Sequence, residues 1–213
     1  ISQHEIVTEG YQELTHPSVF LRFPLRDRPG ESLLVWTTTP WTLTSNVAAA
    51  VHPDLPYVLV ENGGARLWLS KGAIGNAVRG PHTVLQERPG RDLEGWAYDG
   101  PFDELPAQRQ SGAAAAHRII LWDEVGEAEG TGIVHIAPGC GAEDYELGKK
   151  YGLPALAPLS EAGIFVEGFD WLTGMNVHET ALPIFVDLQG KGHSPRDTDQ
   201  VLWLDRRAPK VQA

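Results

Sequence analysis

Two segments of the sequence concentrate side chains that could bind or activate a small molecule. The first, residues 36–43, reads Trp-Thr-Thr-Thr-Pro-Trp-Thr-Leu and follows an apolar stretch. Pro40 disfavours the helical conformation at Thr39, so the strand should end in an extended turn with hydroxyl groups on both sides. Threonine hydroxyls are neutral donors and acceptors that can hold a sugar, a carbonyl or a water molecule. The alternative is an ordinary strand, in which threonine is common.

The second segment covers residues 130–144 and predicts a strand, a glycine-containing turn and the start of a helix. His135 lies near the end of the strand, and Glu143 and Asp144 fall in the first helical turn. A backbone rich in glycine can approach a ligand closely, and Asp144 could face a ligand ammonium group. The alternatives are a structural histidine and a carboxylate that only stabilises the helix N-terminus.

Cys140 is the only cysteine in the chain, so an internal disulfide and a cysteine-based zinc site are excluded. With His135 as a base it could serve as a nucleophile. No oxyanion hole or third orienting group is evident beside it, and the other interpretation is a small residue in a tight loop. Phosphate-loop, zinc-protease and serine-hydrolase motifs are absent from the sequence.

Short apolar runs separated by glycine, proline or aspartate predict that many strands position these two segments. The candidates are residues 19–23, 33–38, 47–51, 57–61, 66–69, 83–86, 118–122 and 131–136. Their number and spacing favour a β-rich mixed α/β fold that is β-barrel-like, with a few peripheral helices.

Charge placement predicts a helix over residues 142–151, with acidic residues first, Lys149 and Lys150 last, and Gly152 after it. A second helix over residues 178–191 is expected if Pro183 lies in its first turn or kinks it.

The charge balance limits the partners of the chain. There are 17 Lys and Arg residues against 28 Asp and Glu residues, for a net charge of −11, which disfavours DNA binding through a broad basic face. No apolar run is long enough to span a membrane, and we expect a cytoplasmic location. Since no initiator methionine is present, we expect the chain to be a piece of a larger protein.

Taken together, the motifs resemble the inserted editing domain of isoleucyl-tRNA synthetases, a class I aminoacyl-tRNA synthetase family. The resemblance rests on residues 36–43 with Asn46, on 50–53, and on 130–154, and it runs from about residue 1 to residue 192. Thr39-Pro40-Trp41-Thr42 has the isoleucyl form, where valyl and leucyl relatives have Arg-Pro-Glu/Asp-Thr. The sequence departs from the family at Thr44-Ser45 and at Cys140.

The resemblance implies hydrolysis of the ester bond that mistakenly joins valine to the isoleucine tRNA, or hydrolysis of valyl-adenylate. Thr38, Thr39 and Asp144 would form the catalytic set, with Asp144 binding the substrate ammonium. The substrate-binding set would be Thr37, Trp41, Asn46, His135 and Ala137. His135 would exclude the extra methyl group of isoleucine, and Asn46 would support the nucleotide end.

The resemblance also implies a domain over residues 1–192, with 1–16 leading into it. Residues 193–213 include few apolar residues and have no clear period, so we expect a peripheral tail there. The expected partners are the valine-carrying 3′ end of tRNA(Ile) and the rest of the synthetase chain. No metal or cofactor is expected, because the ATP and zinc sites would belong to the missing parts. The alternatives are a non-catalytic module that binds the tRNA end and an editing domain of a valyl or leucyl relative.

Overall fold

The computed structural model describes residues 19–191, and the strands in this range form two sheets. The larger sheet contains five strands, in the spatial order β1 (Val19–Pro24), β2 (Glu31–Thr37), β5 (Ala65–Ser70), β4 (Pro56–Asn62) and β6 (Thr83–Pro89). Its neighbouring strands are antiparallel, except that β2 and β5 are parallel. The smaller sheet has the order β7 (Ile119–Leu121), β3 (Ala48–Val51) and β8 (Ile133–Ile136).

The inner strands of the larger sheet, β2, β5 and β4, are covered on both faces, and this explains their near-continuous hydrophobic runs. The edge strand β6 is mostly exposed. Along β4, Tyr57 and Leu59 pack into a core that includes residues of the smaller sheet, whereas Val58 and Val60 pack into a separate cluster on the other face. Successive strand residues point to opposite faces, so a sheet covered on both sides needs apolar residues at every position.

Five α-helices lie around the sheets in the described part of the chain. They are α1 (Ile74–Ala77), α2 (Pro106–Ser111), α3 (Ala113–Ala116), α4 (Ala142–Tyr151) and α5 (Ala181–Gly190). None of the helices within residues 19–191 is both long and apolar enough to cross a membrane. The expected β-rich mixed α/β class is confirmed. The strands were expected to form a barrel-like arrangement. They form two packed sheets that do not close into a barrel within residues 19–191.

Each expected strand segment contains a strand, with ends that differ by at most two residues except at 83–86, where the strand continues three residues further to Pro89. The last segment begins at Ile133 instead of 131 because Gly132 has a φ of +71°, which no regular strand adopts. The predicted helix 142–151 is confirmed, and Gly152 ends it in the left-handed conformation. The second predicted helix forms as α5 with Pro183 in its first turn, after a short 3₁₀ turn at Val177–Glu179.

Three junctions position the site. After β2, the chain enters a segment that we call the threonine turn, residues 37–45, whose second part is a 3₁₀ helix at Pro40–Ser45. The threonine turn leads directly into β3, and β3 pairs with β8 so that Ala49 lies opposite His135. After β8, a tight turn leads into α4. The proposed segments 1–16 and 193–213 lie outside the described residues.

Candidate functional site

A cavity of about 620 Å³ lies where the threonine turn meets the end of β8 and the start of α4. It brings together both segments that the sequence singled out, because Thr38 and Asp144 line the same cavity. The lining residues are Trp36, Thr37, Thr38, Thr39, Trp41, Thr42, Gly126, Ala128, Glu129, Gly130, Thr131, Gly132, Ile133, Val134, His135, Cys140, Gly141 and Asp144. Its size is in the range of small-molecule sites.

The hydroxyl groups of the threonine turn form a connected chain. Thr39 has φ −123° and ψ 72°, outside the helical region as the following proline requires. Its backbone N–H donates to Thr37 Oγ1 at 3.1 Å, and the Oγ1 atoms of Thr37 and Thr39 are 3.3 Å apart. A further 3.3 Å separates Thr39 Oγ1 from Thr42 Oγ1. These contacts give the wall of the cavity fixed polar groups without a charge.

Thr42 connects this chain to His135. The Thr42 hydroxyl donates to the carbonyl of Thr39 at 2.7 Å, since a carbonyl can only accept. Thr42 Oγ1 also lies 2.9 Å from His135 Nε2, so it accepts from that nitrogen, and the imidazole hydrogen is on Nε2. Nδ1 is buried and has no partner among the described residues.

Burial keeps the His135 ring neutral. The side chain is only 8% exposed, and desolvation lowers its pKa to about 4. A neutral imidazole at this position is a polar but uncharged part of the cavity wall.

Asp144 is held by the backbone of the preceding turn. Its Oδ2 accepts a 2.8 Å hydrogen bond from the N–H of Ala137, and it does not cap its own helix. Asp144 nevertheless lies in the first turn of α4, where a negative charge also stabilises the helix N-terminus. Burial raises the pKa of the Asp144 carboxyl above its usual value, an effect that the Ala137 bond opposes and the charge of Glu143 reinforces. A cation bound beside Asp144 would offset this cost of ionisation.

Two residues predicted to touch the substrate lie outside the lining. Asn46 is fully buried, and its side chain donates to the Ala48 carbonyl at 3.0 Å and accepts from the Tyr98 hydroxyl at 2.7 Å. Its amide therefore binds the protein itself and does not face the cavity, contrary to the predicted contact with the nucleotide end. Ala137 is likewise fully buried and contributes its N–H to Asp144.

A loop over residues 126–132, here called the rim loop, forms a wall that the sequence did not predict. A Cβ at Gly130 would lie 2.7 Å from the ring of Trp36, and one at Gly132 would lie 2.4 Å from Ser70 Cβ. Glu127 holds the beginning of the loop, because its Oε2 accepts from the Ser70 hydroxyl at 2.8 Å. The positive φ angles of both glycines and these close approaches explain why the loop needs glycine.

Thr42 and Glu129 were not predicted from the sequence as separate site residues. Thr42 stands three residues after Thr39, the spacing of a side chain that bonds back to a turn carbonyl, and this local signal could have identified it. Its contact with His135 joins positions 93 residues apart and has no local signal. Glu129 and Asp144 are the charged side chains among the described lining residues.

The chain is similar to tRNA ligases over most of its length. It is 42% identical over 203 residues to the isoleucine–tRNA ligase of Pyrococcus horikoshii, which covers 91% of this chain and 19% of the relative. It is 42% identical over 199 residues to the enzyme of Thermus thermophilus, covering 90% and 18%. Over this range the chain resembles a segment of isoleucyl-tRNA synthetases. It spans about a fifth of the length of the curated relatives that it matches.

Other comparisons add little to this assignment. The cytosolic leucyl-tRNA synthetase editing domain of P. knowlesi aligns with this chain at 13% identity and a TM-score of 0.48, over 67% of this chain and 66% of that one. No family model matches the chain.

Cys140 lines the cavity without the properties of a nucleophile. Burial is the main reason that the pKa of its thiol is raised to about 12, and the nearby charge of Asp144 acts in the same direction. Because the thiolate is the reactive form, the thiol is protonated and unreactive at neutral pH. The cysteine-nucleophile alternative is not compatible with this environment.

Proposed function

We propose that the chain is the hydrolytic editing domain of an isoleucyl-tRNA synthetase and removes valine from mischarged tRNA(Ile). The observation that carries the proposal is one cavity lined by both Thr38 and Asp144, in a chain similar to part of isoleucyl-tRNA synthetases. The cavity offers a carboxylate, a series of hydroxyl groups and a neutral imidazole, which suit a small amino-acid ester.

Synthetases of this family need a second site for a physical reason. Isoleucine and valine differ by one methylene, and isoleucyl-tRNA synthetase is itself the standard example of a hydrophobic pocket that separates the two by only ~150-fold. A second cavity that admits valine and excludes isoleucine can hydrolyse the errors.

The substrate ammonium would bind at Asp144. Its Oδ2 is held at 2.8 Å by the Ala137 N–H, which fixes the orientation of the carboxylate. A charge-assisted hydrogen bond between this carboxylate and an ammonium group contributes about 1.5–3 kcal/mol. Burial disfavours the ionised Asp144 carboxylate when it has no positive partner, so a bound ammonium group would relieve this cost.

His135 would form the part of the wall that meets the substrate side chain. Its ring cannot turn freely, because Nε2 is bonded to Thr42 Oγ1 at 2.9 Å. A fixed wall makes the cavity reject the extra methyl group of isoleucine sterically, while the two methyl groups of valine are accepted.

The hydroxyl groups of Thr37, Thr38 and Thr39 would hold the attacking water and the ester. Water adds to the ester carbonyl, the bond to the ribose oxygen breaks, and a proton passes to that oxygen, giving free valine and uncharged tRNA. The step uses no metal ion or organic cofactor. We propose that the neighbouring ribose hydroxyl assists the water.

The net charge of −11 is consistent with a domain that receives only the single-stranded tRNA end. Other parts of the synthetase would hold the body of the tRNA, and these parts are the proposed partners. Affinity of this chain alone for whole tRNA should therefore be weak.

A deacylation assay tests the proposal. The chain is mixed with Val-tRNA(Ile) and, separately, with Ile-tRNA(Ile), and a full-length synthetase carrying this segment is used if binding of the chain alone is too weak. We expect release of valine and retention of isoleucine, with Asp144→Ala much slower than the wild type.

Two outcomes would contradict the proposal. Binding of the tRNA end without valine release would indicate a non-catalytic module. Release of threonine or norvaline from their tRNAs, with valine left in place, would indicate the specificity of a valyl or leucyl relative.

A further inference from the structure

A group of buried polar side chains supports the threonine turn without lining the cavity. Tyr98, Gln108 and His117 are 0%, 1% and 2% exposed. Gln108 Nε2 donates to two carbonyls at the end of the turn, those of Thr44 at 2.9 Å and Asn46 at 3.0 Å. We call Tyr98, Asp103, Gln108 and His117 the support network.

The network also holds the side chain of Asn46, the residue that follows the threonine turn. The Tyr98 hydroxyl donates to Asn46 Oδ1 at 2.7 Å, and Asn46 Nδ2 donates to the Ala48 carbonyl at 3.0 Å. The Tyr98 ring is stacked on the His117 ring, with centroids 4.9 Å apart and an angle of 18° between the planes. The orientation of Asn46 therefore depends on Tyr98, and that of Tyr98 on His117.

His117 in turn is fixed by an acceptor at each ring nitrogen. Nδ1 lies 3.0 Å from the Val47 carbonyl, and Nε2 lies 2.7 Å from Asp103 Oδ1. Burial opposes ionisation of Asp103, but hydrogen bonds from His117 and from the Gly100 N–H lower its net pKa below the usual value. The carboxylate is thus the form that the network favours, and Asp103 and the Val47 carbonyl together fix the orientation of the His117 ring.

The backbone segment held by the network connects both sides of the Thr42–His135 contact. Val47 N–H donates to the Ile136 carbonyl at 2.9 Å, and Ala49 pairs with His135 across β3 and β8. The same segment, at its other end, continues into the 3₁₀ helix that carries Thr42. A shift of this segment would change the Thr42–His135 distance.

We infer that Tyr98, Asp103, Gln108 and His117 are positioning residues that set the selectivity of the cavity for valine over isoleucine. The inference rests on the proposed function. A gap of 0.5–1 Å already removes a quarter to a half of a van der Waals contact energy. Discrimination of a single methylene therefore requires that the wall at His135 keep its place, and the network supplies this rigidity from outside the cavity.

A pair of isosteric substitutions tests the inference. Tyr98→Phe keeps the ring and removes only the bond to Asn46. The matched control is Tyr151→Phe, which removes a hydroxyl bond of the same length, 2.7 Å, to the Leu121 carbonyl. In Tyr98→Phe, the ratio of kcat/KM for Val-tRNA(Ile) to that for Ile-tRNA(Ile) should fall about fivefold, the effect of one hydrogen bond. The control should keep the wild-type ratio, and equal ratios in the two variants would overturn the inference.

A readout that does not depend on activity separates this inference from the proposed function. The ¹⁵N NMR signals of His135, assigned by their loss in His135→Gln, should show hydrogen on Nε2 in the wild type and in Tyr151→Phe. In Tyr98→Phe they should shift or broaden, because the bond to Thr42 becomes irregular. Unchanged His135 signals in Tyr98→Phe would refute the positioning role. Shifted signals in a chain whose wild type releases no valine would refute the proposed function alone.

Discussion

Thr42 and His135 are 93 positions apart in the chain, and their side chains meet at 2.9 Å inside the cavity. Thr42 Oγ1 already donates to the Thr39 carbonyl, so it accepts from His135 and selects one tautomer of the ring. The contact joins the two segments of the sequence that carry chemistry, and it makes the threonine turn and the imidazole a single wall.

Replacing Thr42 by valine should loosen this wall. The side-chain shape is nearly kept, but the buried Nε2–H of His135 loses its acceptor, at a cost of about 1–3 kcal/mol in the free energy of unfolding. We expect a lower urea midpoint and measurable hydrolysis of Ile-tRNA(Ile). Thr42→Ser retains the hydroxyl and should preserve the refusal of isoleucine. If the valine variant refuses isoleucine as the wild type does, Thr42 does not hold the wall.

Asp144→Asn should separate activity from stability. Burial raises the folded-state pKa of Asp144, so the ionised form is disfavoured by folding, and this penalty exists above that pKa and disappears as the pH falls. Asparagine can still accept from Ala137 and carries no charge. We expect a thermal midpoint at pH 7 equal to or above that of the wild type, and kcat/KM for Val-tRNA(Ile) reduced about 10- to 100-fold.

The matched control for this substitution is Glu143→Gln, which removes the neighbouring charge from a residue that does not line the cavity. Its activity should remain near that of the wild type. A comparable loss of activity in both variants would mean that the general negative charge matters, and not a specific contact at Asp144.

The pH dependence of stability should report the burial of His135. Its folded-state pKa of about 4 lies below the usual 6.5, so between these values the unfolded chain binds a proton that the folded chain does not. Stability is fully present above about pH 6.5 and falls as the pH is lowered toward 4, by up to about 3 kcal/mol. His135→Gln should show a shallower decline in urea midpoints over this window. Parallel curves would show that His135 is not buried in the neutral form.

Local signals in the sequence were sufficient for the elements but not for the contacts between them. The helix at Ala142–Tyr151 was predictable because its charged ends and Gly152 are encoded within a dozen residues. The strands were predictable from apolar runs between turn residues. The parallel pairing of β2 with β5, and the separation into two sheets, depend on packing between distant segments and were not predictable.

In the site, too, local sequence identified individual residues but not the contacts between distant ones. Thr38 and Asp144 were recognised by motif, and the structure places both on one cavity. Asn46 was expected at the substrate, but Tyr98, 52 residues away, binds its side chain in the core. An asparagine after a polar turn has the same local sequence whether it faces a ligand or a buried tyrosine, so only the three-dimensional contact decides its role.

Cys140→Ala should leave hydrolysis of Val-tRNA(Ile) within a few-fold of the wild-type rate. The raised pKa keeps the thiol protonated, so it supplies no nucleophile at neutral pH. For the same reason, iodoacetamide should alkylate Cys140 slowly in the folded chain and rapidly in urea, as measured by mass spectrometry. Loss of turnover in Cys140→Ala, together with rapid alkylation of the folded wild type, would restore the cysteine as a catalytic candidate.

Two glycine-to-alanine substitutions in the rim loop, at Gly126 and Gly130, and one outside it, at Gly80, should separate backbone strain from steric clash. Gly126 has no positive φ and has open space where a Cβ would stand, Gly80 has a φ of +73° with open space, and Gly130 has a φ of +65° with Trp36 2.7 Å away. We expect Gly126→Ala to be nearly neutral in urea unfolding and Gly80→Ala to cost about 1 kcal/mol, the cost of a left-handed alanine. Gly130→Ala should cost clearly more than Gly80→Ala, because the indole of Trp36 must also move. Equal losses in Gly80→Ala and Gly130→Ala would mean that Trp36 yields freely and that the rim loop does not depend on this close approach.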